Sequence, residues 1–87
     1  MIFVLTQSFK EDYQQLQTTI QRKADKALRL LAGSLRHPSL QVKKIQGTKS
    51  IYEMRVDIHT RMTFTLEGET VTLRAVGSHD KTLKNPL

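Results

Sequence analysis

Two arginines, a histidine and a run of alternating polar residues carry the chemistry this sequence offers, and they fall between residues 51 and 79. Arg55 and Arg74 bear guanidinium groups, which grip phosphate oxygens through paired N–H donors. His79 is of the side-chain type best suited to exchange a proton near neutral pH, although a lone histidine also serves as ordinary surface. Upstream, Lys43 and Lys44 are adjacent. In an extended chain they point to opposite faces, so one of them meets the polar surface, as a phosphate contact or as solubilising charge. His37, His59 and His79 are widely separated, with no cysteine and no carboxylate cluster, so there is no metal-ligand spacing. Chemistry without metal or cofactor is the expectation. The sequence also contains no glycine-rich phosphate loop and no nucleophile elbow.

Strands must hold these residues. Tyr52, Met54, Val56 and Ile58 alternate with Glu53, Arg55 and Asp57; Met62, Phe64 and Leu66 alternate with Arg61, Thr63 and Thr65; Val71, Leu73 and Ala75 alternate with Thr72 and Arg74. One apolar and one polar face predict an antiparallel meander. Residues opposite each other share a face, so parity selects the loops. Gly68-Glu69 fits a two-residue type II′ turn, which sets Leu66 opposite Val71, Phe64 opposite Leu73, Met62 opposite Ala75 and Thr63 opposite Arg74. Val76 then faces Arg61, and His79 comes near Arg61. The first hairpin needs an odd loop; residues 58–60 would set Asp57 opposite Arg61, Arg55 opposite Thr63 and Glu53 opposite Thr65. The outcome is a row Arg55, Thr63, Arg74, its arginines about 10 Å apart at two inter-strand spacings. A phosphate fits between them; alternatively Arg55 pairs with Glu53 or Asp57, and Arg61 with Asp57, as a solvated face.

Ahead of the meander, residues 2–6 read as a first strand. Ser8 and Glu11 have capping-box spacing, and Phe9, Tyr13, Leu16 and Ile20 form the stripe of a helix over residues 9–19. Tyr13 is placed in the core by that stripe. A second start at Thr18 leads into a stripe of Ala24, Ala27, Leu28, Leu31 and Leu35, with Gly33 as the stop. The two helices should form a hairpin covering the sheet. Pro38 marks a loop, residues 40–45 a short extended segment, and residues 81–87 a docked or frayed tail.

The chain has 87 residues, no cysteine, and 14 basic against 8 acidic side chains, for a net charge of +6. That length implies one domain over residues 1–87. The charge makes a polyanion the default partner, and nucleic acid fits better than membrane because no long apolar segment appears. Residues 1–5 are too short for a signal peptide and lack its basic start, and the missing cysteines suit a reducing interior, so a cytoplasmic location is expected.

The order strand, helix, helix, basic meander resembles the RelE/ParE toxin superfamily of toxin–antitoxin systems. The carriers are Leu40-Gln41-Val42-Lys43-Lys44-Ile45-Gln46-Gly47, Ile51-Tyr52-Glu53-Met54-Arg55-Val56, Arg61-Met62-Thr63-Phe64 and Val76-Gly77-Ser78-His79-Asp80. The resemblance implies an α+β fold, β-α-α-β-β-β. It also implies a type II toxin that binds a cognate antitoxin and acts as a metal-independent, ribosome-dependent mRNA interferase. In that chemistry a ribose 2′-hydroxyl attacks the adjacent phosphodiester in line. The implied catalytic residues are Arg61 on the phosphate, Arg55 as a further cation, His79 as acid or base and Glu53 as a possible base, with Lys43, Lys44 and Arg74 as RNA-phosphate contacts. Several active members of that superfamily carry a tyrosine near the C-terminus, whereas residues 80–87 contain no aromatic. The alternative branch, ParE-like, inhibits DNA gyrase without catalysis; a small basic RNA-binding domain without activity is the third reading.

Overall fold

A computed structural model describes residues 1–79 and Thr82. The expectations for Asp80 and for the tail other than Thr82 lie outside the described residues. Strand β1 (Ile2–Leu5) is followed by helices α1 (Gln7–Gln14) and α2 (Thr18–Gly33), a single 3-10 turn (Pro38–Leu40), and strands β2 (Lys43–Lys44), β3 (Ile51–Arg55), β4 (Thr60–Glu67) and β5 (Thr70–Ser78). The expected α+β order is therefore borne out. The sheet order is β1-β5-β4-β3-β2, with β1 parallel to β5 and the other pairs antiparallel. No helix among the described residues is long and apolar enough to cross a membrane.

Helix α1 starts earlier than its sequence spacing suggested. Thr6, not Ser8, is the N-cap: its hydroxyl accepts from the Phe9 amide at 3.1 Å and donates to the Leu73 carbonyl at 2.9 Å. One side chain thus ends β1, opens the helix and ties both to β5. The helix stops at Gln14 rather than Thr19, and the Gln21 side-chain amide donates to the Tyr13 carbonyl at 2.9 Å across the break. The Tyr13 hydroxyl donates to Asp25 Oδ1 at 2.7 Å, locking the helices together. That bond, reinforced by burial, holds the phenol above its ordinary range.

The core joins Phe9, Ala24, Ala27, Leu31 and Leu40 to Met54, Met62, Phe64, Val71, Leu73 and Val76 from one sheet face. Gly68 has φ +59° and no other residue of its turn has positive φ, as a type II′ turn requires. The register beyond that turn departs from strict alternation. Leu66 faces Val71 and Phe64 faces Leu73, but Thr63 then faces Ala75, Met62 faces Val76 and Arg61 faces Gly77. Arg74 is the extra residue of a β-bulge, so it is not opposite Thr63. The cause is apolar spacing: Val71, Leu73 and Val76 are the largest apolar side chains on β5. One inserted residue puts buried Val76 rather than Ala75 against Met62, about two more methylenes in the core at roughly 0.8 kcal/mol each.

In the first hairpin, Arg55 faces Arg61 and Glu53 faces Thr63, while Val56 donates to the Thr60 carbonyl at 3.0 Å. The loop is odd, as parity demands, but comprises residues 57–59 rather than 58–60. The predicted row Arg55, Thr63, Arg74 is replaced by two rungs: Glu53, Thr63, Ala75 and Arg55, Arg61, Gly77. Asp57 explains the choice, because its Oδ1 accepts from the His59 and Thr60 amides at 2.9 and 2.8 Å and closes the turn.

Candidate functional site

The bulge has a consequence for His79. Without it, alternation along β5 would carry His79 to the helix-covered face together with Val71 and Leu73. With it, residues 75 and 77 lie on the face that carries Glu53, Thr63 and Arg61, and His79, just past the end of β5, borders that side. Strand β5 ends at Ser78 and His79 is helical, its amide donating to the His59 carbonyl at 3.1 Å. The Thr82 hydroxyl donates to the His79 carbonyl at 3.1 Å, and Thr82 is fully buried.

Lys43, Lys44, Ile45, Gln46, Glu53 and His79 line a single cleft of about 480 Å³. Strand β2 supplies the lysines because Lys43 lies opposite Glu53 and Lys44 opposite Tyr52. Of the adjacent pair, Lys43 therefore shares the Glu53 face, while Lys44 reaches the cleft from its edge. Lys43 Nζ is 3.5 Å from Glu53 Oε1, yet the lysine side chain is 70% exposed and the carboxylate only 3%. Such a lysine is held weakly and can move to another anion. Glu53 Oε2, Thr63 Oγ1 and His79 Nδ1 are buried and have no hydrogen-bond partner among the described residues. Buried polar atoms of this kind cost free energy unless water, an ion or a ligand pairs with them.

The arginines occupy other places. Arg61 Nη1 donates to the Asp57 carbonyl at 2.6 Å and the Thr60 carbonyl at 3.1 Å, so the side chain braces the loop. It stands diagonal to Glu53, about 7–8 Å across the ladder, within reach of a long side chain. Arg55 borders a second, smaller cleft with Lys23, Lys26, Ser39 and Leu40 at the α2 edge of the sheet. Arg74 sits in the bulge on β5, two strands from Glu53. The structure therefore joins Lys43, Lys44, Glu53 and His79, and does not gather Arg55, Arg61 and Arg74 into one group. Thr63 was visible in the sequence only as a polar row member; nothing in its spacing announced a buried hydroxyl beside Glu53.

Asp57 also links the loop to α2, with Lys23 Nζ 3.5 Å from Oδ2. Burial alone would raise its carboxyl, but the His59 amide and the amide and hydroxyl of Thr60 outweigh it, aided by the Lys23 charge, and the carboxyl lies below its ordinary value. A depressed folded-state value stabilises the fold above the unfolded value of about 3.9, and that contribution disappears as pH falls through the folded value. The stability difference between wild type and Asp57→Asn is expected to be present at neutral pH and to shrink below about pH 4. Urea titrations across that range check it, and a difference independent of pH would contradict it.

No protein-family model and no curated protein matches the sequence. Solved structures do match. A chain of the RelB–RelE antitoxin–toxin complex from Methanococcus jannaschii aligns with TM-score 0.77 and 18% identity over 93% of this chain and 95% of that one. The YoeB dimer from Staphylococcus aureus gives 0.76 and 15% over 91% and 97%, and YafQ from E. coli gives 0.78 and 15% over 91% and 93%. The resemblance noted from the strand and helix order is thus matched in three dimensions across nearly the whole chain: this protein has the fold of the RelE/ParE toxin superfamily.

Proposed function

We propose that the chain is the toxin of a toxin–antitoxin pair and cleaves messenger RNA on the ribosome. The observation that carries this reading is the meeting of Glu53, His79, Lys43 and Lys44 in one cleft. In the reaction, the Glu53 carboxylate takes the proton of a ribose 2′-hydroxyl. The 2′-oxygen attacks the adjacent phosphorus, the bond from phosphorus to the 5′-oxygen breaks, and His79 as imidazolium gives that oxygen a proton. The products are a 2′,3′-cyclic phosphate and a 5′-hydroxyl. The two lysines, with Arg61 turning from its loop carbonyls, offset the charge on the equatorial phosphate oxygens. Fragment ends of any other chemistry, found by enzymatic end-labelling of the cleaved message, would overturn this scheme.

Arg55 and Lys26 border the second cleft beside α2 and offer further cations to the flanking RNA backbone. The antitoxin partner is supported by relatives of the same fold solved as antitoxin–toxin complexes. Binding of a non-cleavable single-stranded RNA should weaken with salt. In a Lys43→Ala/Lys44→Ala variant, the log–log slope should be shallower by about 0.7 for each phosphate that a lysine no longer neutralises. Equal slopes for variant and wild type would remove both lysines from the RNA path.

A further inference from the structure

We infer that Thr63 is a positioning residue for Glu53, its hydroxyl placed to donate to Oε2 when the carboxylate turns toward it, fixing the group that the proposed cleavage uses as base. Thr63 and Glu53 face each other on one rung of β4 and β3, where side-chain Cβ atoms stand about 4.5–5.5 Å apart. Thr63 is fully buried and Glu53 is 2% exposed. Each keeps one polar oxygen without a partner among the described residues, one a donor and the other an acceptor. On the other side of Thr63 stands Ala75, whose methyl group offers no hydrogen bond, a neighbour set by the Arg74 bulge. Glu53 is thus the polar side chain directly across the ladder from the hydroxyl. In this structure the two atoms are not bonded to each other, so the contact requires the Glu53 carboxylate to turn toward Thr63.

The other charged or titratable groups facing Glu53 are Lys43 on β2, Lys44 beside it, Arg55 on its own strand, Arg61 on β4 and His79 beyond β5. His79 borders the same cleft. A hydrogen bond from Thr63 would favour the ionised carboxylate, so its removal is expected to move the carboxyl titration to higher pH.

The test follows the Glu53 carboxyl carbon by NMR against pH in the full chain labelled with 13C-glutamate. Wild type, Thr63→Val and Thr63→Ser are compared, with Glu53→Gln identifying the resonance. The midpoint should rise by about one pH unit in Thr63→Val, the scale of one hydrogen bond to a charged group, and return to the wild-type position in Thr63→Ser. If Thr63→Val fails to fold, Thr63→Ala, which adds no bulk, takes its place. An unchanged midpoint in a folded variant overturns the inference. So does an equal rise in Thr63→Ser, which would trace the effect to packing, or a response at the His79 ring nitrogens instead. The inference rests on the nuclease reading only for the use of the carboxylate. Absence of cleavage by every protein in a parallel RNA assay would overturn that reading, whereas the NMR result decides the Thr63 contact by itself.

Discussion

Replacing His79 by alanine is expected to slow RNA cleavage by roughly 10²–10⁴-fold, the usual contribution of one positioned acid or base. The loss should fall on the chemical step, because in the proposed mechanism the imidazole donates to a departing 5′-oxygen rather than holding the message in place. Single-turnover cleavage at saturating RNA measures it, with the circular dichroism spectrum as a check that the fold persists. His79 lies beyond the last strand and outside the apolar core, so its truncation leaves the packing of Met62, Phe64 and Val76 intact. A rate within a few-fold of wild type would assign the proton to another group.

The largest expected effect on stability comes from Phe64→Ala. Phe64 is fully buried at the centre of the meander, opposite Tyr52 on β3 and Leu73 on β5, and its ring stacks on Tyr52 with centroids 5.7 Å apart. Truncations of this kind cost about 3–5 kcal/mol. A small domain has only about 5–15 kcal/mol in total, so the variant should lie close to unfolding at ambient temperature. Urea unfolding reads the change as a lowered midpoint at similar slope. A loss below about 1 kcal/mol would mean that the core is not organised around the β3, β4, β5 register described above.

Much of this architecture was readable because alternation is a strong signal. The inward faces of β3 and β4, the Gly68 turn, the odd first loop and the Gly33 helix stop all followed from period and turn chemistry. The departures are local and have physical causes. Thr6 displaces Ser8 as cap because it also bonds to the Leu73 carbonyl, a contact between distant parts of the chain. Asp57 moves the hairpin loop by one residue through bonds to two amides that parity cannot distinguish. The bulge has the widest effect. Its trace is present in the sequence, since Val76 breaks the alternation set by Val71 and Leu73, but strict period two hides it.

The site follows the same division. Glu53, His79, Lys43 and Lys44 are all candidates by type, and the actual register brings them to one cleft. The expected phosphate clamp of Arg55 and Arg74 does not form, because the shifted hairpin sets Arg55 opposite Arg61 and the bulge takes Arg74 off Thr63. Pairing of β1 with β5 joins the two ends of the fold and leaves no mark in local periodicity.

Primer extension on a reporter message, in a cell-free translation reaction containing the EDTA-treated protein, tests the central claim most directly. Wild type should produce new cuts within the translated region, and Arg61→Ala and His79→Ala should leave the message intact while remaining folded. Cuts that persist in both variants would contradict the proposed site. An intact message with normal translation in the presence of wild type would contradict the nuclease itself and direct attention to DNA gyrase as the target.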